Sequence, residues 1–181
     1  MADHGAAPAN GFPATAYQLA RLMTQDPGLQ VLFTDLGDWD THIGQGNARR
    51  GRLQGNLGAL ARGLQLLVQG LGEDYARTTV VVMSEFGRTL HENGTGGTDH
   101  GHGNVMWLLG GGIRGGSVYG DWPGLGREGL YQQRDLAVTT DYRAVLALLA
   151  ARQFGLNEAQ LQRIFPQPFQ PARGLDRLWR G

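Results

Sequence analysis

Six leucines set the frame of this 181-residue chain: Leu53, Leu57, Leu60, Leu64, Leu67 and Leu71 recur at spacings of four and three. That period is helical and lays one apolar stripe along residues 49–71, which must be buried to be stable. Before it, Leu29-Gln30-Val31-Leu32-Phe33-Thr34 reads as a buried strand. After it, Thr78-Thr79-Val80-Val81-Val82-Met83 is mostly β-branched and reads as another. Strand, long helix and strand predict an α/β fold, a layered and mainly parallel sheet with flanking helices. Gly51, Gly55, Gly58 and Gly63 each weaken the helix by up to about 1 kcal/mol relative to alanine, a cost consistent with close packing.

The remaining elements are shorter. Residues 14–23 suit a helix with Ala16, Leu19, Ala20 and Met23 on one face. Residues 104–109 are a strand candidate and residues 118–119 a shorter one. Residues 141–154 suit a helix with Thr140 or Asp141 as N-cap, Val145, Leu146 and Leu149 inward, and Gly155 as its stop. Asn157 and Gln160 have the spacing of a capping box, for a last helix reaching Ile164. The expected organisation is a flexible start over 1–12, one α/β domain over 13–165 that is part of a larger parent domain, and a proline-punctuated tail over 166–181.

Sixteen basic and sixteen acidic residues give a formal net charge of zero, so no general attraction to nucleic acid is expected. The apolar runs are too short to span a membrane, and the first residues lack the basic and apolar regions of a secretory signal. There is no cysteine, hence no disulfide and no thiolate ligand. Glycine is abundant, 30 residues in all, and clusters in the second half, where it implies tight loops. Gly110-Gly111-Gly112 and Gly115-Gly116 read as turns around Ile113, not as a dinucleotide fingerprint.

Chemistry concentrates in Asp38-Trp39-Asp40-Thr41-His42 and Thr98-Asp99-His100-Gly101-His102, which hold three of the five histidines. Carboxylate and imidazole together suit a divalent cation, zinc first, with calcium, manganese or magnesium as alternatives. The candidate metal ligands are Asp38, His42, Glu85, Asp99, His100 and His102, with Asp35 and Asp40 as alternative ligands or as partners that orient His42. Glu85 follows the strand of residues 78–83 directly, as a ligand or as an ion-pair partner of Arg88. Arg88 is the candidate catalytic residue, suited to clamp an anionic oxygen bidentately. Trp39 suits packing, His4 and His91 suit the surface, and Ser84 lacks the elbow of a serine nucleophile.

These residues carry a resemblance. Asp38-Trp39-Asp40-Thr41-His42 with Gln45, Ser84-Glu85-Phe86-Gly87-Arg88-Thr89 and Gly97-Thr98-Asp99-His100-Gly101 resemble the C-terminal part of the bacterial family catalogued as domain of unknown function 1501. The likeness continues through Tyr119-Gly120-Asp121-Trp122-Pro123 and Thr140-Asp141-Tyr142-Arg143, from Phe12 to Phe165. That family is similar in turn to the alkaline phosphatase and sulfatase superfamily. The resemblance implies the C-terminal half of an alkaline phosphatase-like fold and a metal-dependent hydrolase acting on an anionic phosphate or sulfate ester. It sets Asp38 and His42 on one metal pair and His100 or His102 on the last metal histidine. Its other Asp-His pair falls at Glu85 and Phe86, where phenylalanine cannot ligate, or at Asp99 and His100. It also implies a nucleophile-bearing N-terminal half outside this chain, inactivity of this part alone, pairing with that half or self-association, and twin-arginine export to the periplasm. The competing reading is a non-catalytic interaction or structural domain on the same scaffold.

Overall fold

The computed structural model describes residues 6–171 and 173–180. His4 and the first five residues of the expected flexible start lie outside them. The chain divides into two compact units, one within Met1–Thr78 and His91–Asp99, the other within Thr79–Leu90 and His100–Gly181.

The first unit is built on two helices, α1 (Phe12–Gln25) and α2 (Arg52–Leu71), packed on each other. Pro13 lies in the first turn of α1, where its missing N–H costs nothing. From α1, Phe12, Ala16 and Ala20 are buried; from α2, Ala59, Leu60, Gly63, Leu64, Leu67 and Leu71. The leucine stripe is therefore the seam of a helix pair, and its first members, Leu53 and Leu57, are less covered. The two helices approach closely at Gly63, where a Cβ would run into the Phe12 ring. Gly51, at φ 118°, stops the helix from extending back to residue 49.

Residues 29–34, expected as a buried strand, form none. A strand needs a hydrogen-bonding neighbour, and among the described residues the segment enters no ladder beyond the single Ala7–Leu36 bridge just after it. Of its apolar side chains, Phe33 is 88 % and Val31 69 % exposed, while Leu29 and Leu32 are half-buried.

In the second unit β1 (Thr79–Val82) pairs antiparallel with β2 (Trp107–Gly110), Thr79 opposite Gly110 and Val82 opposite Trp107. β3 (Leu130–Tyr131) and β4 (Asp135–Leu136) form a second antiparallel pair. This overturns the layered, mainly parallel sheet and with it the C-terminal half of an alkaline phosphatase-like fold. The parallel reading needed residues 29–34 and 78–83 in one sheet, joined through the long helix as a crossover. Instead β1 takes the next strand of the chain as its partner, and among the described residues each sheet stops at two strands. The β3–β4 turn places Gln132 and Gln133 at φ 51° and 56°. Residues 118–119 form no strand.

Ile113, Val145, Leu149, Leu175 and Leu178 form the core here, with Val81, Met106, Leu108 and Trp179 against it. Leu175 and Leu178 come from residues 166–181, and the backbone of Arg114 and Arg180 bonds that segment to the 112–114 turn through Leu178 O and Gly112 O. Helix α3 (Tyr142–Phe154) is capped by Asp141, whose Oδ1 accepts from Arg143 N at 2.9 Å. The Arg143 guanidinium bonds the same carboxylate, at 2.6 Å from NH2, and holds it below the usual carboxylate range. Gly155 ends α3 at φ 65°, and α4 (Glu158–Ile164) carries the Asn157–Gln160 capping box. No helix among the described residues is long and apolar enough to cross a membrane.

Candidate metal centre

In the first unit, two loops are laced together around His42. Gly44 N bonds Thr95 O, Gln45 N bonds Gly96 O, and Thr98 N bonds Thr41 O. Beneath them Gln45 Oε1 accepts two hydroxyls, Thr41 Oγ at 2.7 Å and Thr98 Oγ at 2.6 Å, and both threonines are buried. Gly97 must be glycine here, because a Cβ would meet the carbonyls of Thr41 and His42. The lacing brings Asp99 to His42 although 57 positions separate them: Nδ1 lies 3.0 Å from Asp99 Oδ1. On its other side, His42 Nε2 lies 2.9 Å from Asp40 Oδ1. One half-buried imidazole thus stands between two carboxylates.

A neutral imidazole carries one N–H and one lone pair. It can donate to one carboxylate only, and its lone pair then faces the other, which is repulsive until a positive charge stands there. Asp40 and His42, both in this unit, are donors of the kind that hold a divalent cation. Carboxylate and imidazole together suit zinc, manganese or iron.

The other candidates lie as follows. Asp38 sits at φ 70°, a left-handed position that aspartate tolerates better than most residues. Its carbonyl accepts from Asn56 Nδ2 at 2.7 Å. Trp39 is half-buried and Asp35 exposed. In the second unit Glu85 is exposed at the turn after β1, a turn tied by Asn104 Nδ2 to Ser84 Oγ at 2.7 Å and to Phe86 O at 3.0 Å. Arg88 forms a single β-bridge with His100. Phe86, the position where ligation is chemically excluded, packs its ring against His100 with centroids 4.4 Å apart. His102 stacks on Tyr131 at 4.0 Å.

Asn93 is the site residue that sequence reading passed over. Its Nδ2 donates to His42 O and to Asp99 Oδ1, both at 3.0 Å, while its Oδ1 accepts from Thr95 N and Gly97 N, also at 3.0 Å. The available signal was Asn93-Gly94-Thr95-Gly96-Gly97, a polar turn sequence just ahead of Asp99.

Residues 2–165 match the family model described as protein of unknown function (DUF1501). The chain belongs to that family. Comparison with curated proteins found no match, and neither did comparison with solved structures. Membership thus stands on nearly the whole DUF1501 chain. The descriptors alkaline phosphatase-like, sulfatase-like and hydrolase do not stand with it, because two small antiparallel sheets conflict with the scaffold those words denote.

Proposed function

We propose that this chain binds a divalent cation, with Asp40 and His42 as ligands and Asp99 as the carboxylate that orients His42. The observation that carries the reading is the imidazole between two carboxylates, His42 Nε2 at 2.9 Å from Asp40 Oδ1 and Nδ1 at 3.0 Å from Asp99 Oδ1. Two ligand atoms each about 2.1 Å from one zinc ion stand roughly 3.0–3.4 Å apart at coordination angles of about 90–110°. The Asp40–His42 separation is close to the short end of that range. A carboxylate on the far nitrogen of a metal-bound histidine fixes the ring and its tautomer, and Asp99 stands in that position. Ester hydrolysis is no part of this reading, since it rested on a phosphatase-like scaffold that the chain does not form.

Titration calorimetry with zinc and manganese after chelator dialysis tests the proposal, on the wild-type protein and on His42→Ala and Asp40→Asn. One equivalent bound by the wild type, with at least a tenfold loss in each variant, is expected. Equal, substoichiometric metal in all three proteins would falsify it.

A further inference from the structure

We infer that Asn93 is the positioning residue of this centre: its amide holds the Asp99 carboxylate that aims the His42 ring. The inference rests on the cation-binding reading for its purpose, and on hydrogen bonds alone for its geometry. Asp99 is 59 % exposed at its side chain and rotates about two torsions. Such a carboxylate keeps no single direction unless something holds it. Its Oδ1 takes both the His42 ring nitrogen and Asn93 Nδ2 at 3.0 Å. The same Nδ2 reaches the His42 carbonyl, so one amide group grips the backbone of the ligand and the side chain that orients it.

Asn93 is itself held in place. Its Oδ1 accepts from Thr95 N and Gly97 N, its backbone N donates to Gly97 O at 2.8 Å, and Thr95 Oγ lies 2.7 Å from His42 O. Only a short side chain with an acceptor and a two-hydrogen donor on one carbon makes all these bonds. Aspartate at this position keeps the acceptor and loses the donor, placing a like charge against Asp99. Alanine loses both.

The direction this imposes on His42 is specific. With a cation on the Asp40 side, Asp99 fixed on Nδ1 holds the ring proton there, and Nε2 keeps its lone pair for the cation. Loss of an outer hydrogen bond of this kind typically weakens metal affinity 10–100-fold.

The test uses the intact chain as wild type, Asn93→Asp and Asn93→Ala, each free of metal and with one equivalent of zinc. Histidine ring nitrogen NMR at mildly alkaline pH reads the His42 tautomer directly, and zinc titration reads the affinity. The expected result is a single Nδ1–H ring in the zinc-loaded wild type, His42 ring signals displaced in both variants with and without zinc, and zinc affinity 10–100-fold weaker, with unchanged helical circular dichroism. His42 ring signals that stay the same in both variants overturn the inference, as does unaltered affinity in variants that are folded. Ring signals that change while the wild type takes up no zinc uphold Asn93 as the positioning residue and overturn the cation reading instead. Should Asn93→Ala fail to fold, Asn93→Asp, which keeps the turn's acceptor, decides.

Discussion

Replacing Gln45 with leucine removes the acceptor on which the two site loops converge. Thr41 is 1 % exposed, and its hydroxyl donates to Gln45 Oε1 at 2.7 Å. Left unpaired in that surrounding, the hydroxyl costs about 1–3 kcal/mol. Thr98 loses its 2.6 Å bond to the same oxygen, a further loss of about 1 kcal/mol. Gln45→Leu is therefore expected to destabilise the protein by roughly 2–4 kcal/mol. Urea unfolding followed by circular dichroism and tryptophan fluorescence measures it, and the two probes together show whether the units unfold as one. The reasoning makes a sharper demand on the double variant. Removing the unpaired hydroxyl with Thr41→Val in the Gln45→Leu background should recover about 1–3 kcal/mol, because replacing both partners by apolar groups of similar shape is nearly neutral. Gln45→Leu within 0.5 kcal/mol of wild type, the usual spread for an unremarkable surface change, would refute the bridge as a stabilising element. So would a double variant no more stable than the single.

Gly63→Ala should destabilise by about 1–3 kcal/mol by overpacking, since its Cβ collides with the Phe12 ring; Gly55→Ala on the same helix, with open space around it, should be neutral or stabilising by thermal denaturation. Asp141→Ala should cost about 1 kcal/mol through loss of the α3 cap. Because Arg143 lowers the Asp141 pKa, that contribution is fully present above the unfolded carboxylate value of about 3.9 and is lost as pH falls through the folded value. The difference between the wild type and Asp141→Ala should therefore be constant above about pH 4 and shrink as pH falls below it.

The helices were the most legible part of the chain because they are decided locally. The leucine spacing of α2, the Asp141 cap, the Gly155 stop and the Asn157–Gln160 box all act within a few residues, and each stands in the structure. Strand partners are not decided locally. Residues 29–34 and 79–82 are both strand-like in composition, but whether either pairs, and in which direction, depends on what lies beside it. The β3–β4 turn was invisible for a different reason: glutamine rarely adopts positive φ, so Gln132 and Gln133 carry no turn signal. At the site, the two Asp/His clusters marked the loops that hold His42 and Asp99. Spacing alone could not tell that the ring would stand between Asp40 and Asp99, nor that Asn93 would bond both the His42 carbonyl and the Asp99 carboxylate.

X-ray absorption at the zinc edge on the zinc-loaded protein tests the central claim most directly. The account predicts a mixed nitrogen and oxygen shell at about 2.0–2.2 Å, with outer-shell imidazole scattering that is lost or reduced in His42→Ala. A shell of oxygen alone, or imidazole scattering unchanged by His42→Ala, would contradict it.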